Sequence, residues 1–129
     1  MDSSMEKVRS ALTGISGVPV TPYTSDGAVD ASKLSTLIKG LAEAGVHNLM
    51  AAGNTGEFFT LTLEEVRLVH RTAVKAAAGK SLVSAAVGRS LTEAKALARD
   101  AVAEGADAIM GHHPMDPPLL GQAIRQNTF

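Results

Sequence analysis

The 129-residue sequence predicts an α/β domain built on a parallel sheet, and three observations carry that prediction. Short apolar runs alternate with stretches whose apolar residues recur at helical spacing. The runs start about every 30 residues, the length of one βα unit. Two helical stretches open on a Ser/Thr-x-x-Glu capping box placed shortly after such a run. An order β-α-β-α-β-α-β then implies parallel strands joined by right-handed crossovers.

Residues 1–12 read as a loosely ordered polar arm. Their start, Met1-Asp2-Ser3-Ser4-Met5-Glu6, lacks the basic segment and apolar stretch of a signal peptide. Ile15 to Val20 is β-branched, but Pro19 and Pro22 limit it to a brief strand. Thr24-Ser25-Asp26-Gly27 has turn chemistry, and Asp30 suits a helix N-cap. Leu34, Leu37, Ile38 and Leu41 form one stripe of the first helix, which Gly45 ends.

The second unit has a strand at 47–52, a loop at 53–61 and a helix from Leu63 to about Ala78. That helix starts on the box Thr62-Leu63-Glu64-Glu65, with Val66, Val69, Ala73 and Ala77 as its buried face and Gly79 as its stop. The third strand is Ser81 to Val87. Gly88 and Arg89 lead to the second box, Ser90-Leu91-Thr92-Glu93, whose helix is expected to bury Leu91, Ala94, Leu97, Ala98 and Ala101 before Gly105. A fourth strand, Ala108-Ile109-Met110, runs into Gly111-His112-His113-Pro114. The segments from Gly45 and from Gly105 echo each other, each a helix-stopping glycine feeding a strand.

The composition excludes several classes of function. A formal net charge of −1 with interspersed signs points away from nucleic acid and from anionic membranes. The chain has no cysteine, hence no disulfide framework and no thiolate nucleophile. No apolar run approaches the ~20 residues that span a bilayer. A cytoplasmic location is the expectation.

The stretch most suited to chemistry is Gly53-Asn54-Thr55-Gly56-Glu57, in the second strand-to-helix loop. Its two glycines allow close backbone approach, and turned amides suit a small anion such as a carboxylate. An ordinary tight βα turn explains the same glycines. A flavodoxin-like phosphate-binding module is a further alternative, although neither G-x-G-x-x-G nor a P-loop signature is present.

Together with Val18-Pro19-Val20-Thr21-Pro22, Asp26-Gly27 and Asp30, the Gly53–Glu57 motif resembles the dihydrodipicolinate synthase and N-acetylneuraminate lyase family. The resemblance runs from about Gly17 to Pro117. It implies a class I aldolase-type lyase on a (β/α)8 barrel, acting on pyruvate or a related 2-keto acid through a Schiff base. No cofactor and no metal are implied. By that resemblance Gly53, Asn54 and Thr55 bind the keto acid carboxylate, with Thr21 as an accessory candidate. The histidines after the fourth strand depart from the family, whose members often carry Pro-Tyr-Tyr there; His113 is a second accessory candidate because imidazole titrates near neutral pH. Glu57 reads as a structural brace of the loop. Asn54 stands where synthases usually carry a threonine of the proton relay, and Phe58-Phe59-Thr60-Leu61-Thr62 is closer to the dehydratase and sugar-acid aldolase branches, such as 5-dehydro-4-deoxyglucarate dehydratase.

The catalytic set is incomplete in this reading. The family places its Schiff-base lysine on the sixth strand and a relay tyrosine on the fifth. Here Lys33, Lys39, Lys75 and Lys95 fall on predicted helices, Lys7 in the arm and Lys80 before the third strand; the single tyrosine is Tyr23. A complete barrel needs about 250 residues, so residues 13–118 correspond to about the first four βα units, followed by an atypical tail at 119–129. A non-catalytic truncated remnant or an association partner is therefore the alternative to a lyase half. Metal binding by His112, His113 and Asp116 is disfavoured, because adjacent residues of an extended chain point apart. His47 and His70 read as structural or solvent-facing. Leu49, Val83, Ala85 and Ile109 are expected to face a barrel interior lacking its other half, which predicts self-association or a homo-oligomer.

Overall fold

The computed structural model describes residues 3–113. Its elements are α1 (Ser3–Leu12), β1 (Ser16–Gly17), α2 (Ala31–Glu43), β2 (Asn48–Ala51), α3 (Leu63–Ala77), β3 (Leu82–Val87), α4 (Leu91–Glu104) and β4 (Ala108–Gly111). All four strands are parallel and lie in the order β1-β2-β3-β4. Every neighbour in the sheet is thus a neighbour in the chain. This is a partial (β/α)8 barrel, and it differs from the 2-1-3-4-5 order of a flavodoxin-like sheet.

The helices begin where local chemistry sets them. Asp30 caps α2 by accepting from the Lys33 amide at 3.0 Å. Both capping boxes are formed, Thr62 with Glu65 at α3 and Ser90 with Glu93 at α4. Gly45 and Gly105 follow α2 and α4 with φ of 91° and 98°, the left-handed backbone of a helix stop. The Tyr23–Val29 bridge closes the turn around Gly27.

Burial follows the helical stripes. Leu34, Ile38 and Ala42 of α2 and Val66, Val69, Ala73 and Ala77 of α3 share a buried cluster with Leu49, Ala51, Val83 and Val87 of the sheet. Leu49, Val83 and Ala85 are therefore not left bare by a missing half: all three are almost fully buried. Leu49 and Val83 thus face the helices rather than a barrel interior, packing with α2 and α3, and Ala85, two residues on from Val83, lies on the same side of the sheet. Ile109 differs, being 51% exposed on the open β4 edge. On the alternate positions a polar line crosses the sheet. Asn48, wholly buried, receives a bond from Ser84 Oγ at 2.8 Å, and its Nδ2 donates to Ser16 Oγ at 3.2 Å.

Three expectations change. Residues 3–12 form a helix rather than a loose arm, with none of its side chains buried; Met5, Val8 and Leu12 recur at helical spacing but meet no core. The first strand shrinks to Ser16–Gly17, since the prolines that follow cannot donate to a ladder. Along α4 only Leu97 and Ala101 are buried, and Leu91 is exposed. The described residues supply no helix beyond α4 to cover that flank. The tail from 119 and the segment Pro114–Asp116 lie outside the described residues.

Candidate functional site

The loop from Gly53 to Leu61 leaves the carboxyl end of β2 and is the meeting point of all four strand ends. Residues 54–56 form one 3-10 turn, entered from Ala52 at φ 58° and left through Glu57 at φ 63°. Two left-handed residues without glycine's freedom in so short a span are a local strain, of the kind that persists where surroundings over-determine the backbone.

Those surroundings are specific. From the β1 side, the buried Thr21 hydroxyl donates to the Gly56 carbonyl at 2.7 Å. The Tyr23 hydroxyl donates to Glu57 Oε2 at 2.8 Å. Partial burial, reinforced by that carboxylate, raises the Tyr23 phenol above its ordinary pKa, so at neutral pH it remains a donor. Glu57 thereby braces the loop, and Thr21 acts on the same turn rather than on open solvent.

The glycines serve packing more than ligand approach. A Cβ at Gly53 would stand 2.6 Å from Val18 Cγ1, and one at Gly56 would stand 3.1 Å from the Pro19 carbonyl oxygen. Both glycines are buried against the Val18–Thr21 segment, whereas Asn54 and Thr55 are exposed at the tip of the turn. Among the described residues neither the Asn54 nor the Thr55 side chain makes a hydrogen bond, so their polar groups are available to a ligand.

From the other side come residues with no signal in the sequence beyond their types. Arg89, after β3, donates to the carbonyls of Phe58, at 3.1 Å, and of Leu61. His112, after β4, stacks on Phe58 with ring centroids 4.4 Å apart. His113 is exposed, so of the two adjacent histidines it is His112 that turns to the loop. Among the described residues no group of three or more His, Cys, Asp or Glu is placed to hold a metal. Likewise no helix there is long and apolar enough to cross a membrane.

The lysines lie away from the carboxyl ends of the strands. Lys7 is on α1, Lys33 and Lys39 on α2, Lys75 on α3, Lys95 on α4, and Lys80 precedes β3 with its Nζ 3.8 Å from Glu43. His47 is exposed, and its Nδ1 accepts from the Ile15 amide at 2.9 Å, a structural role at the opposite end of the sheet. His70 is buried in α3.

Comparison with known proteins agrees with this architecture. The chain is 44% identical over 92 residues to the 4-hydroxy-tetrahydrodipicolinate synthase of Alcanivorax borkumensis, covering 70% of this chain and 31% of that protein. It is 38% identical over 115 residues to a probable 5-dehydro-4-deoxyglucarate dehydratase of Methylobacterium radiotolerans, covering 89% and 36%. Among solved structures, dihydrodipicolinate synthase from Bacillus clausii superposes with a TM-score of 0.81 at 37% identity, over 85% of this chain and 38% of that one. N-acetylneuraminate lyase from Mycoplasma synoviae gives 0.75 at 30% identity, over 80% and 36%. The chain thus spans about a third of the length of these relatives. Since residues 11–115 match the family's sequence model and the strand order matches its barrel, the chain belongs to the dihydrodipicolinate synthetase family.

Proposed function

We propose that this chain provides the carboxylate-binding part of a lyase that acts on pyruvate or a related 2-keto acid through a Schiff base. The observation that carries the reading is the turn at 54–56: two exposed polar side chains, Asn54 and Thr55, unbonded among the described residues, on a backbone held from both sides at the carboxyl end of β2. Oriented donors of this kind stabilise negative charge without reorganising. The named relatives include both a synthase and a probable sugar-acid dehydratase, and the shared element is the 2-keto acid end rather than the rest of the substrate.

Schiff-base chemistry needs a lysine whose amine is desolvated enough to be neutral. The positions of the six lysines favour binding without catalysis by this chain alone. In 15N-resolved spectra, pyruvate is expected to shift the amides of Gly53 to Gly56. A Thr55→Val chain should bind it about 10-fold or more weakly, since one hydrogen bond to a charged group contributes about 1.5–3 kcal/mol. Unchanged affinity in Thr55→Val removes the assigned role. Borohydride added with pyruvate should leave every lysine unmodified by mass spectrometry.

A further inference from the structure

The far side of the loop is held by groups to which the carboxylate reading assigns nothing. Gly88 ends β3, and a Cβ there would lie 3.0 Å from His112 Cβ and 3.1 Å from the Phe58 ring. The missing side chain makes room for the stack of His112 on Phe58, whose planes are 26° apart. Phe59 meets Phe58 edge-on at 5.2 Å. His112 Nε2 reaches to 3.4 Å from the Ala52 carbonyl oxygen, a donor in the Nε2–H tautomer.

Arg89 closes the arrangement. Its backbone is left-handed, with φ 70°, a conformation disfavoured for a non-glycine residue by the closeness of Cβ to the following carbonyl oxygen. Its guanidinium bonds two loop carbonyls, Phe58 and Leu61, and its Cζ lies 5.5 Å from the Phe58 ring centroid. Leu61 immediately precedes the N-cap of α3, so one side chain joins the middle of the loop to the start of the helix. Both bonds come from Nη2, whose two N–H groups lie in the guanidinium plane and point in fixed directions, unlike those of an ammonium that rotates on a flexible stem.

We propose that Arg89 is a positioning residue for the Gly53–Thr55 turn, acting through Phe58 together with His112. It fixes from β3 and β4 what Thr21 and Tyr23 fix from β1, and the inference rests on the carboxylate reading of that turn. It does not touch the keto acid.

The test compares the wild-type chain with Arg89→Met and Arg89→Lys. Amide hydrogen exchange is followed at Glu57 and Thr60, whose amides bond the Asn54 and Glu57 carbonyls, and at Val69 in α3 as an internal reference. Pyruvate is the ligand probe in a parallel titration. Arg89→Met should accelerate exchange at Glu57 and Thr60 at least tenfold, leave Val69 within a factor of two, and weaken pyruvate binding by a similar factor. Arg89→Lys should fall between wild type and Arg89→Met on both measures. Unchanged exchange at Glu57 and Thr60 overturns the proposal, as does undiminished pyruvate binding by Arg89→Met when the wild-type chain binds it. Loosened loop amides in a chain that never binds pyruvate uphold the clamp and overturn the carboxylate reading. Global unfolding of both variants makes Arg89 a determinant of the fold and overturns its positioning role.

Discussion

His70 should make the stability of this chain depend on pH through one residue. It is 1% exposed, and neither ring nitrogen makes a hydrogen bond of good geometry among the described residues, the backbone of Ala86 being only a weak partner. Burial pushes its pKa from 6.5 down to about 4, opposed only in part by the backbone of Ala86. The folded state therefore holds the neutral imidazole, while the unfolded chain takes up a proton below pH 6.5. Above that value the group contributes no pH dependence. As the pH falls, the unfolded state binds more protons and stability is lost, until the folded His70 itself titrates near pH 4. The full difference is about 3 kcal/mol at 1.36 kcal/mol per pH unit, and about 2 kcal/mol of it is lost between pH 7 and pH 5. Urea unfolding followed by circular dichroism at both pH values measures the loss directly. Replacing the imidazole by an apolar group, His70→Leu, should remove this loss, while other titrating groups contribute equally to the two chains. Equal losses in wild type and His70→Leu, or an imidazole titration near 6.5 in the folded chain, would refute the reasoning.

Two further outcomes concern the frame of the loop. Thr21→Val leaves the Gly56 carbonyl without its partner in a buried place, at a cost of about 1–3 kcal/mol in urea unfolding; a loss below about 0.5 kcal/mol counts against Thr21 as a brace. Gly88→Ala forces a methyl group into the His112–Phe58 contact and should destabilise by about 1–3 kcal/mol. The same change should abolish the ring-current shift of the His112 protons, and its persistence would mean that the stack tolerates the added carbon.

What was legible in the sequence is local. Thr62 with Glu65 and Ser90 with Glu93 act within four residues, and such a box needs no distant partner. The apolar stripes of α2 and α3 also transfer, because a period of 3.6 fixes one buried face regardless of partner. Strand faces were legible only in part: Leu49, Val83 and Ala85 alternate with the polar Asn48 and Ser84, and it is the apolar positions that meet the helices while the polar line takes the other face. The first helix was missed because its few apolar residues never reach the core, and without burial its pattern is faint. The site divided along the same line. Gly53 to Glu57 announced itself by motif, whereas Arg89 and His112 act on residues 31 and 60 positions away. No local pattern marks an arginine as the one that reaches back to Phe58, nor distinguishes His112 from His113.

The convergence of four strand ends on one loop has a consequence for the order of synthesis. Every contact described as shaping the 53–61 turn comes from residues between Val18 and His112, the longest reaching 60 positions along the chain. Since chains fold from the N-terminus as they emerge, the turn has all its described partners once His112 has cleared the ribosome. In relatives that continue beyond this point, the corresponding loop would be a template already present when later strands arrive, rather than a feature assembled last.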